Sequence, residues 1–134
     1  MQFVGSDIKT MNRFAFFCLV LILLSCTKET ITNREYPRVT TMEVTNISSA
    51  QAVFHGDLFF TSVAVTDYGF VWSNNSFPEI NTSPRRSLGS TTTAGPFEAT
   101  IQGDLIAGKE YTVQAYAIST GFVVYGKVVK FTSQ

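Results

Sequence analysis

Few side chains in this sequence could do chemistry, and their spacing argues against it. There is one histidine, His55, between Phe54 and Gly56. An imidazole can bind a metal or move a proton near neutral pH, but either task needs partners: further ligands, or an acid that orients the ring. The neighbouring sequence supplies none, so His55 is expected on the surface, pointing outward. The carboxylates Asp57, Asp67, Glu79, Glu98, Asp104 and Glu110 are scattered, whereas a glycosidase needs two of them about 5–9 Å apart across a sugar ring. Serine and threonine are abundant, yet no G-x-S-x-G elbow is present, and neither is a Gly-rich phosphate loop or a metal-spaced motif. Asn46-x-Ser48, Asn74-x-Ser76 and Asn81-x-Ser83 match a glycosylation sequon and read here as turns. The expectation is a protein without catalytic residues, metal or cofactor.

Both cysteines, Cys18 and Cys26, lie near the N-terminus, so the rest of the chain has no disulfide or thiolate site and must rely on core packing. Met11-Asn-Arg13 followed by the apolar run from Phe14 to Leu24 reads as a signal peptide over 1–25: a short positive region, then about a dozen apolar residues, fewer than the roughly 20 a membrane span requires. Met11 is the expected true start. Leu23-Leu24-Ser25-Cys26 resembles a bacterial lipobox, which would make Cys26 the lipid attachment site. Two or more acyl chains there would anchor the protein stably. Only Glu29 supplies an acidic residue just after Cys26, where a surface-export signal would be acidic. Residues 26–36 are the lipidated N-terminus and a polar tether, with a reach of at most about 35 Å for ten residues.

Removing 1–25 takes away Lys9, Arg13 and Asp7, which leaves 8 basic and 9 acidic residues out of the 10 of each in the whole chain. Such a near-neutral chain has no footprint for nucleic acid, whose phosphates call for a basic patch, and no polybasic membrane arm.

The elements that would position any site are strands. From Gly103 a turn with two glycines feeds a strand in which Tyr111, Val113, Ala115 and Ala117 share one face, while Thr112, Gln114, Tyr116 and Ile118 take the other, the period of two of a half-buried strand. A tyrosine just after a Leu-x-x-Gly corner predicts a tyrosine corner, its hydroxyl bonded to backbone a few residues upstream. Earlier strands are expected over 39–45, over 50–58 with Ala52, Phe54, Gly56 and Leu58 inward, and over 67–73 with Tyr68, Phe70 and Trp72 on one face. A long turn-rich loop follows over 74–90, with a short edge strand near 86–88. Strands over 96–102 and 122–132 complete the count. Seven short strands with regular turn signals and no helical pattern predict an all-β, immunoglobulin-like sandwich over 37–134.

Tyr68-Gly69-Phe70-Val71-Trp72-Ser73, Gly103-Asp104-Leu105 with Gly108, Tyr111, Val113, Ala115, Tyr116 and Ala117, then Tyr125-Gly126 and Phe131-Thr132-Ser133, resemble the fibronectin type III-like modules of lipoproteins from Gram-negative gut anaerobes. Ala107 departs from the pattern, which often has proline there. The resemblance implies an outer-membrane lipoprotein of the cell envelope and a non-catalytic interaction or spacer module. It also implies, as alternatives, a carbohydrate-binding accessory module or a fragment of a longer multi-module protein. The expected partners are the membrane, through Cys26, and a protein or glycan. Two surfaces are candidates for binding. At the tether end, Phe59, Phe60 and Phe122 are expected to gather on neighbouring loops. At the distal end, the long loop would present Phe77, Arg85 and Arg86.

Overall fold

The computed structural model describes residues 35–75 and 77–134. The predicted signal peptide, Cys26 and the tether up to residue 34 lie outside the described residues. Within them the chain forms eight strands and no helix: β1 (Arg38–Thr41), β2 (Gln51–Phe59), β3 (Val65–Ser73), β4 (Arg85–Ser87), β5 (Gly95–Gln102), β6 (Glu110–Ser119), β7 (Phe122–Tyr125) and β8 (Val129–Thr132). They make two antiparallel sheets, a three-stranded one ordered β1-β2-β5 and a five-stranded one ordered β4-β3-β6-β7, with β8 also paired to β6. This is the predicted all-β sandwich.

Period-two alternation sets the core. Ala52, Phe54 and Leu58 of β2 face Phe70 and Trp72 of β3 and Val113, Ala115 and Ala117 of β6, all buried. The Phe54 ring is the hub, with Phe70, Trp72 and Phe131 each 5.5–5.6 Å away between centroids, the tilted spacings aromatic pairs favour. The tyrosine corner is present. Tyr111 stacks on Phe131 at 5.5 Å, and its hydroxyl accepts the Ile106 backbone N–H at 2.8 Å.

The predicted first strand, 39–45, is shorter and bent. Thr41 pairs with Gly56, and pairing resumes at Thr45 opposite Val53. Four steps on one chain oppose three on the other, so the segment holds a one-residue bulge. The bulge switches the buried side chains from Val39 and Thr41 to Val44.

The predicted last strand, 122–132, is also split, and β1 is the cause. Thr41 reaches the opposite sheet, where its Oγ1 accepts the Ala115 N–H at 2.9 Å. The Ala115 carbonyl takes the Gly126 N–H at 2.8 Å. A side chain at position 126 would collide with Thr41, its Cβ lying 2.7 Å from the Thr41 backbone nitrogen, so glycine there lets β1 press into the gap between β7 and β8.

The outer face of the five-stranded sheet is covered as well. Gln114 and Tyr116, expected on a half-exposed face, are 1% and 0% exposed. Residues 77–84 lie across Gln114 and reach β7: the Pro78 carbonyl accepts Gln114 Nε2 at 2.6 Å, and the Ile80 N–H reaches the Tyr125 hydroxyl at 3.2 Å.

Candidate functional site

At one end of the sandwich β2 finishes, β3 begins, β6 finishes and β7 begins, and here the chain enters through Glu35 and Tyr36. The three aromatics expected to gather take separate partners. Phe59 stays 52% exposed, with the Arg38 guanidinium 4.7 Å from its ring centroid, a cation–π distance. Phe60 packs against the core. Phe122 meets the Tyr36 ring edge-on at 4.6 Å. Beside Phe60 lies an open cleft of about 720 Å³ whose polar lining is hydroxyls, among them Thr61, Ser62, Thr66, Ser90 and Thr91. The Glu35 carboxylate accepts bonds from Ser62 and, at 2.6 Å, from Thr61. The Ser62 bond first, then that from Thr61, holds its pKa below the usual carboxylate range, because both stabilise the charged form. Glu35 and Tyr36 are thereby fastened to this end.

The distal candidates part company. Phe77 is 64% exposed and lines a groove with Glu110 and Lys130. Arg85 and Arg86 belong to β4, opposite Val71 and Phe70, and neither lines that groove. The Arg86 guanidinium crosses to the other sheet and donates to the Thr100 carbonyl at 3.4 Å. It thus covers part of the free edge of β5, where unpaired backbone would otherwise be open to another strand.

His55 points outward, as expected, but it does have an acid. Glu98 lies opposite it across β2 and β5, with Oε2 3.4 Å from Nδ1, and Thr45 Oγ1 is 2.7 Å from Nε2. The alternation of both predicted strands placed His55 and Glu98 on outward faces; the missing signal was their register. Hydroxyl, imidazole and carboxylate in that order form a nucleophile relay where a substrate can reach the hydroxyl. The cavity beside His55 and Glu98, about 250 Å³, is lined also by Met42, Pro96 and Phe97, and the bonds tie the 42–45 segment, β2 and β5 together. No three described His, Cys, Asp or Glu residues converge on a metal position.

Asp67 is a hub that sequence reading missed. Its carboxylate accepts from Ser87 Oγ at 2.5 Å, the Gly89 N–H at 3.3 Å and the Tyr116 hydroxyl at 2.9 Å. Burial first, then the bond to Asp67, pushes the Tyr116 pKa up to about 12. These bonds brace β3, β4 and β6 against one another.

No protein-family model matches this sequence, and neither does any curated protein. Solved structures share its fold. The sensor domain of the anti-sigma factor RsgI4 from Pseudobacteroides cellulosolvens superposes with a TM-score of 0.56 at 13% identity, over 73% of this chain and 75% of that one. A shorter version of the same sensor domain gives 0.55 at 12% identity, over 72% of this chain and 93% of that one. The likeness is one of fold.

Proposed function

We propose that this chain is an exported lipoprotein, lipid-bearing at Cys26, that holds one fibronectin type III-like sandwich in the cell envelope as a non-catalytic interaction module. The observation that carries the reading is the sequence Leu23-Leu24-Ser25-Cys26 at the end of an apolar run too short to span a membrane. The structure adds support: the chain enters the sandwich at one end, fastened by Glu35 and Tyr36. The strand order and the tyrosine corner support the type III-like assignment.

The groups best placed for acid–base work are engaged in bracing, which favours binding over turnover. Asp67 and the buried Tyr116 hold strands together. A sensor role, as the similar domains carry in their own protein, is one form of interaction module. Metabolic labelling with radioactive palmitate tests the anchor. Wild type is expected to take up label and Cys26→Ala to lose it; equal labelling of both, or of neither, contradicts the lipoprotein reading.

A further inference from the structure

We propose that the groove beside Phe77 is a binding site for a neutral hexose ring of a glycan. The inference rests on the interaction-module reading and gives that module a ligand class. The groove is open, about 530 Å³, and runs between the segment after β3 and the strands β6 and β8, a size typical of small-ligand sites.

Phe77 is the first argument. It is the most exposed large apolar side chain among the described residues, at 64%. Unlike Phe59 and Phe122, it has no ring or cation partner among them. It is not a loose tip either. Pro78, the next residue, is buried, and its carbonyl is held by Gln114 at 2.6 Å. The backbone that follows Phe77 is thereby fixed before a ligand arrives, which lowers the ordering cost of binding.

The rim is the second argument. Asn74, Asn75, Glu110, Thr112 and Lys130 share the groove with Phe77. Asn75 Oδ1 accepts Ser73 Oγ at 3.2 Å, which leaves its amide hydrogens for other acceptors. Glu110 and Lys130 pair at 3.6 Å, with side chains 64% and 68% exposed. The pair is electrically balanced, so it favours a neutral ligand over an ionic one, and its exposed atoms still offer acceptors and donors.

Phe77 is the one aromatic in the groove and Val128 the one aliphatic. A pyranose matches what is there: one face of C–H groups to lie on the ring, and hydroxyls around its rim that both donate and accept.

The test uses the purified full-length protein on a sensor surface, with cellohexaose, laminarihexaose, mannohexaose and maltohexaose as probes at up to millimolar concentration. At least one is expected to bind. Phe77→Ala should weaken it at least about tenfold, Phe77→Tyr should keep it, and Phe59→Ala should leave it unchanged. An exposed residue such as Phe77 can be truncated without unfolding the sandwich, and unchanged thermal unfolding would verify that. Failure of all four hexaoses to bind, or binding indifferent to Phe77→Ala, overturns the proposal. The two readings fail separately: palmitate labelling without hexaose binding removes the groove and keeps the anchored module, and binding without labelling does the reverse.

Discussion

Tyr111 and Tyr116 serve the fold in different ways, and only one of them could be read in advance. Tyr111 bonds the Ile106 N–H, a partner in the adjoining corner, so spacing alone announced it. Removing the hydroxyl in Tyr111→Phe is expected to cost about 1 kcal/mol, while Trp72→Ala, which empties a place beside Phe54, should cost about 3–5 kcal/mol. Urea titrations of the two variants check this, and equal near-zero losses would mean the strands are misassigned. Tyr116 bonds Asp67 across a strand pair, a relation that depends on register and on a covering segment that polar composition concealed. Its pKa is raised from 10.0 to about 12, so the fold favours the neutral phenol. The stability this contributes is complete below about pH 10 and is lost as pH rises towards about 12. Tyrosinate absorbance of the folded protein should show a tyrosine ionising near pH 12, and Tyr116→Phe should remove that step.

At the scale of elements, alternation predicted which strands exist and which faces turn inward, because burial of one face imposes a period of two. It could not show the bulge between Thr41 and Thr45, since one inserted residue shifts the period without leaving a gap in a β-branched run. Nor could it show β1 dividing the last strand, which is a meeting of Thr41 with Ala115 and Gly126. Thr41→Val keeps the shape and removes the acceptor, leaving the buried Ala115 N–H unpaired. A loss of about 1–3 kcal/mol is expected, with Thr41→Ser near wild type; equal stability of all three by thermal unfolding would contradict the role given to Thr41. The segment 77–84 read as a plain polar loop, yet it carries Pro78 and Gln114 into burial. Gln114→Ala should strand the Pro78 carbonyl and make that segment the first site of limited proteolysis; cleavage no faster than in wild type would contradict its function as a strap.

At the scale of the molecule, the candidate sites were legible as residues and not as places. Phe59, Phe60 and Phe122 do lie near the chain's point of entry, but each has its own contact. Arg85 and Arg86 sit on an edge strand, where Arg86 links the sheets. Of the distal set, Phe77 alone lines the groove. Loops are placed by the strands they join, and the sequence of a loop carries little of that information. The proposed anchor at Cys26 and the proposed site beside Phe77 are therefore separate claims about the molecule.

Its central claim is the anchor, and the most direct measurement is membrane fractionation of cells carrying wild type or Cys26→Ala, followed by protease treatment of intact cells. The account predicts wild type in the membrane fraction and the variant released from it, and shaving by protease would then place the groove outside the cell. Wild type recovered in the soluble fraction, or a Cys26→Ala variant that stays with the membrane, would contradict it.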